Sequence, residues 1–131
     1  MHPLRSLFWL VVANIAASII HYADNLLFLE EYPEPEWIEL HQIDSFWFFM
    51  TPFAILGYLA IRKGALRRGS LLLCAYALMS LLVLGHYLYA PFVSISPKIH
   101  LFIFLEAAMA LLLLLYVPVF IRKGARRSPA S

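Results

Sequence analysis

The stretch LFIFLEAAMALLLLLYVPVFI, residues 101–121, runs for twenty-one residues with one acidic or basic side chain, Glu106. At a rise of 1.5 Å per residue, a helix of that length crosses the roughly 30 Å hydrocarbon layer of a bilayer. Three more apolar runs precede it, at about 7–29, 45–61 and 71–90. Water is absent from the hydrocarbon region, so such runs must satisfy their backbone groups internally, and the dyad alternation of barrel strands is missing. The expected fold is therefore all-α: one polytopic integral membrane domain over residues 1–131, a four-helix transmembrane bundle.

Composition agrees. Of the 131 residues, 63% are hydrophobic and 14% charged, where a soluble domain is roughly half apolar. Four spans with short links use nearly the whole chain, which leaves no room for a separate soluble domain. The single cysteine, Cys74, excludes an internal disulfide and paired-thiol redox chemistry.

Charge is segregated along the chain. Basic residues gather at Arg5, at Arg62, Lys63, Arg67 and Arg68, and at Arg122, Lys123, Arg126 and Arg127, with Lys98 apart. Acidic residues gather at Asp24, Glu30, Glu31, Glu34, Glu36, Glu39 and Asp44. With four spans the three basic segments fall on one side, and the positive-inside rule makes that side, with both termini, cytoplasmic. The acidic connector of about 30–44 is then outside, in the periplasm of a bacterium, and the bacterial inner (cell) membrane is the expected location. The start of the chain also resembles a signal peptide, but the apolar pattern resumes at Leu26–Leu29. The basic clusters are topology signals and contacts to anionic lipid rather than nucleic-acid sites.

Several local features follow from proline and glycine. The connector segment Tyr32-Pro33-Glu34-Pro35-Glu36-Trp37 rules out one uninterrupted helix between the first two spans. Pro35 is suited to the first helical position of span two, and Tyr32 and Trp37 to the membrane interface. Pro52 permits a bend in span two, Pro91 ends span three, and Pro97 lies just before span four. Lys63-Gly64-Ala65 and Lys123-Gly124-Ala125 read as a shared helix stop.

Ionisable residues within hydrocarbon cost about 2.5–3.5 kcal/mol at a helix centre, so their positions carry the functional signal. Each helix supplies one histidine toward the outer side: His21, His41, His86 and His100. On span one Asn14, Ser18, His21 and Asn25 form one helical stripe, with Asp24 beside it. His41, Asp44 and Ser45 stand near the start of span two; Tyr76, Ser80, His86 and Tyr87 lie along span three. His21 lies roughly 13 Å from the outer end of its helix and Glu106 about 9 Å below His100, which puts His21 and Glu106 in one deep layer. Asp24, Asn25, Asp44 and His86 form a shallower layer, with His41 and His100 nearest the surface and more simply interfacial.

Three chemistries suit this layering. His21, Asp24, Asp44, His86 and Glu106 could converge on a divalent metal, zinc or iron. Two histidines could hold a haem, as four-helix b-type cytochromes do. Or His21 and Glu106, with Asp24, could serve as catalytic acid and base on a membrane-soluble small molecule, or pass protons in coupled transport. A different class of role is that of an accessory or assembly subunit whose polar face meets a membrane-protein partner. The small interior also permits a homo-oligomer.

Overall fold

A computed structural model describes residues 3–35 and 37–125, apart from the side chains of Leu40, Asp44 and residues 123–125. Every regular element among them is helical. Helix α1 is Pro3–Leu27, α2 Leu40–Arg62 and α3 Leu66–Ser80; a 3₁₀ segment, Leu81–Gly85, leads into the short α4, His86–Tyr89, and α5 is Pro97–Ala125. Four helical stretches are long and apolar enough to cross a membrane: α1, α2, the α3-to-α4 stretch and α5. Each helix begins four or five residues before its apolar run, and α2 and α5 also outlast theirs, because hydropathy marks only the part suited to hydrocarbon.

Neighbours follow chain order around a closed ring. α1 packs on α2, α2 on α3, α3 on α5, and α5 returns to α1. The Tyr116 hydroxyl of α5 donates to the Pro3 carbonyl of α1 at 2.9 Å, which joins the first helix to the last. The outward faces are apolar: Leu27, Phe48, Leu71, Leu88, Val93 and Leu115 are all exposed. Side chains of this kind on every face suit a lipid surroundings rather than water.

The tightest crossing is between α2 and α3. A Cβ added to Gly69 would stand 2.6 Å from the Gly57 carbonyl oxygen and 2.8 Å from the Ile61 nitrogen. Helices in lipid gain little from hydrophobic exclusion and associate through such close backbone approach at small residues. The turn joining them places Gly64 at φ 84°, the left-handed conformation that ends many helices. Lys123-Gly124-Ala125 does not repeat this stop, since α5 stays helical through Ala125.

Three other local expectations change. α2 begins at Leu40, not at Pro35: Glu39 caps it, its side chain accepting from the Gln42 backbone while the Gln42 side chain accepts from the Glu39 N–H at 2.9 Å. This reciprocal capping box satisfies free donors at the helix start. Pro52, where a bend was expected to be possible, stands inside α2. The third span, expected as one helix, tightens at Leu81–Gly85, where Gly85 and the β-branched Val83 weaken α-helical preference. Pro97 is the first residue of α5 rather than its predecessor, a position where the missing N–H costs nothing.

The interior has two apolar clusters. One, toward the α2–α3 turn, contains Leu7, Val11, Met50, Leu73, Leu113 and Val117. The other, at the connector end, contains Tyr32, Val83, Ile95, Ile99, Ile103 and Ala107. The buried polar side chains lie along the same helices, and they define the site.

Candidate functional site

The helical stripe on α1 buries Asn14, Ser18, His21 and Asn25 together. Turning this face inward is the cheaper arrangement, because a polar side chain facing lipid has no partner. The neighbouring helix, α5, turns Glu106 inward on the face it shares with Ile103 and Ala110. His21 Nδ1 and Glu106 Oε2 meet at 2.9 Å, with the residues only 2% and 1% exposed. The contact is close without being collinear: neither atom makes an aligned hydrogen bond. Such pairs commonly align only once a ligand is present. The other carboxylate oxygen, Oε1, accepts from the Ser80 hydroxyl at 2.7 Å. Ser80 is the last residue of α3, so three helices fix this one carboxylate.

Around His21 the rings are crowded. Tyr32 stacks on it at 5.6 Å, and the His86 ring lies 5.4 Å away, tilted by 34°. Beside them the connector folds inward. Asn25 Nδ2 donates to Glu34 Oε1 at 2.8 Å, and His86 Nδ1 lies 3.4 Å from both Glu34 Oε1 and the Pro33 carbonyl oxygen. Tyr32, expected at the interface, is buried, whereas Trp37 is 70% exposed. Burial is tolerable because the Tyr32 hydroxyl donates to Asp24 Oδ2 at 2.8 Å. Burial first, and then this hydrogen bond, push Tyr32 well above the usual tyrosine range, so that it remains a neutral donor.

Asp24 is therefore engaged away from the pair. It binds Tyr32 and lies 3.2 Å from Lys98 Nζ, which also reaches Glu31 at 3.4 Å and covers the Phe28 ring. His100 is held in place too: Tyr87 Oη is 2.8 Å from Nδ1, the Phe92 carbonyl 3.0 Å from Nε2, and the Phe92 ring stacks at 3.9 Å. His41 pairs with Glu39 on the exposed surface. Asp44 stands on α2, but its side chain lies outside the described residues, as do Glu36, Arg126 and Arg127.

The set His21, Asp24, Asp44, His86 and Glu106 is thus not shown as one metal-binding group. Among the described residues no three His, Cys, Asp or Glu side chains are placed to hold an ion. The reason is visible at Asp24, which the connector and Lys98 occupy. Three members do come together, His21, Glu106 and His86, and Glu34 joins them.

A cavity of about 360 Å³ opens beside this group, between α1, the connector, α2 and the 3₁₀ segment. Its polar lining includes His21, Asn25, Glu34 and His86; Phe46, Ile43, Leu82 and Val83 supply apolar wall. This volume and mixture are those of a small-molecule site. Sequence reasoning missed Tyr32, Glu34 and Ser80. The signal for the first two was the pair of prolines flanking Glu34, which stiffen the connector; Ser80 carries no signal beyond its helical face.

No family model, curated protein or solved structure matches this chain. The reading of the site therefore rests on its own geometry.

Proposed function

We propose that this chain is a multi-pass protein of the bacterial cell membrane, with cytoplasmic termini, that performs acid and base chemistry on a membrane-soluble small molecule. The observation carrying this reading is the buried His21–Glu106 contact beside a cavity of apolar walls. Charge segregation along the chain supports the orientation, with the cavity on the outer side.

The roles follow from the atoms in contact. With Glu106 against Nδ1, a neutral His21 carries its proton on that nitrogen and keeps a lone pair on Nε2. Nε2 removes a proton from the substrate, and the imidazolium so formed is countered by the Glu106 carboxylate. Ser80 holds that carboxylate by its second oxygen. Return of the proton to a different atom of the substrate restores the imidazole and completes a proton shift, with no oxidant or reductant consumed. In a water-poor site the charge of the intermediate pair is stabilised more strongly than in water.

The test is solvent deuterium transfer. Protein in lipid nanodiscs is incubated in heavy water with a lipid-soluble extract of bacterial cells, and the extract is examined by mass spectrometry. The native chain is expected to introduce deuterium into a discrete lipid-soluble compound. His21→Ala should slow this about 100-fold or more, the lower end of what a positioned acid or base contributes, and Glu106→Gln should follow it. Label appearing equally with His21→Ala, or in no compound, would overturn the reading.

A further inference from the structure

The polar end of the cavity is rich in acceptors. The Asn25 amide donates its Nδ2 to Glu34, yet its Oδ1 is buried without a partner among the described residues, in a side chain only 3% exposed. A buried carbonyl oxygen left unpaired costs on the order of 1–3 kcal/mol, so an orphan beside a cavity marks where a donor belongs. Glu34 adds carboxylate acceptor capacity next to it. His86 directs Nδ1 toward two acceptors, the Pro33 carbonyl and Glu34, so the neutral ring carries its proton there and leaves Nε2 as a lone pair. His21, with Nδ1 against Glu106, does the same. Among the described residues no lysine or arginine lines the cavity.

Three further side chains that can donate line it, Tyr22, partly buried on α1, and the exposed Gln42 and Trp37 at the outer edge, and the remaining wall is aromatic and aliphatic. A ligand complementary to this arrangement carries several N–H donors and a positive charge at one end and a hydrocarbon or aromatic body at the other. We infer that the cavity binds a lipophilic amine in its protonated form, with the ammonium at Asn25 Oδ1 and Glu34 and the apolar body against Phe46, Ile43, Leu82 and Val83. The inference rests on the proposed function for its site and extends it to a substrate class. A quaternary ammonium has the charge without the N–H groups and leaves Asn25 Oδ1 unpaired, so it fits less well.

Calorimetric titration of the full chain in phosphatidylcholine nanodiscs separates these features. The probes are 4-phenylbutylamine, its N-trimethyl analogue, 4-phenylbutan-1-ol and 4-phenylbutyrate. The amine is expected to bind at least tenfold more tightly than the alcohol and the trimethyl analogue, and the carboxylate to give no specific binding. Asn25→Leu and Glu34→Gln should each weaken the amine fivefold or more, and the alcohol, with one O–H and no charge, by less than the amine; Glu34→Gln keeps the shape of the connector residue if Asn25→Leu misfolds. Equal affinity for amine and alcohol, tight binding of the carboxylate, or indifference of the amine to both variants overturns the inference. Amine binding lost while deuterium transfer persists removes only the substrate class; amine binding retained while His21→Ala still transfers deuterium removes only the chemistry.

Discussion

The two ends of the bundle are held together in different ways. At the α2–α3 turn the contact is steric: Gly57 and Gly69 let two backbones touch, and Leu7, Met50, Leu73 and Leu113 fill the space with no exposure at all. At the connector end the contacts are polar and pass from one group to the next, from Lys98 to Asp24 to Tyr32, and from His86 to Glu34 to Asn25. Packed contacts tolerate little displacement, since dispersion falls off within an ångström. Polar chains can exchange partners. The first end holds the helices in register, and the second lines a cavity with groups that can change partners.

The largest effect is expected where the steric end is broken. Gly69→Leu forces a side chain into the Gly57 carbonyl and the Ile61 backbone, and overpacking of this severity costs on the order of 3 kcal/mol. Unfolding titrated with a denaturing detergent in bicelles measures it; native stability in this variant would show that the helices do not rely on the crossing.

A smaller and more local effect is expected at the connector. Tyr32→Phe deletes the hydrogen bond to Asp24 and should cost about 1 kcal/mol, with faster hydrogen exchange at residues 28–39 and no change in α2 or α3. Tyr32 also gives this end an alkaline limit. Its folded-state value is raised above that of an unfolded tyrosine, so the unfolded chain releases the proton first. Stability is then fully present below about pH 10, the ordinary tyrosine value, and declines as pH rises beyond it. The phenylalanine variant should lose that portion of the pH dependence, and an unchanged alkaline slope would place its origin elsewhere.

The smallest effect belongs to His41→Ala. Its partner Glu39 is equally exposed, and such surface pairs contribute little. Thermal melting and amine binding should both be unchanged, and a loss of binding there would move the site outward along α2.

The parts of this architecture that depend on local chemistry could be read from the chain itself. Long apolar runs and the spacing of Asn14, Ser18, His21 and Asn25 mark the helices and the inward face of α1, and rise per residue puts His21 and Glu106 at matching depth. What could not be read depends on where distant segments meet. Asp24 is next to the stripe in sequence, and only the position of Lys98, seventy-four residues later, shows that it is occupied. Tyr32 and Glu34 stand in a segment whose composition suggests a solvated loop, and their burial is decided by His86 and Asn25. The 3₁₀ segment was hidden for the same reason, because an unbroken apolar run does not distinguish one helical pitch from another.

The closing of the ring by α5 has a bearing on how the protein is made. α2 and α3 are adjacent in the chain and can dock as soon as both have left the ribosome. The partners of α1 include Glu106 on α5, 85 residues after His21, which at 5–20 residues per second is a delay on the order of 4–17 s. Through that interval the polar stripe of α1 has α2 on one flank, where Trp47 donates to Ser18, and nothing of its own chain on the other. His21 gains its Glu106 partner only when the last helix arrives, so assembly, more than the finished bundle, is where a helix this polar is least satisfied.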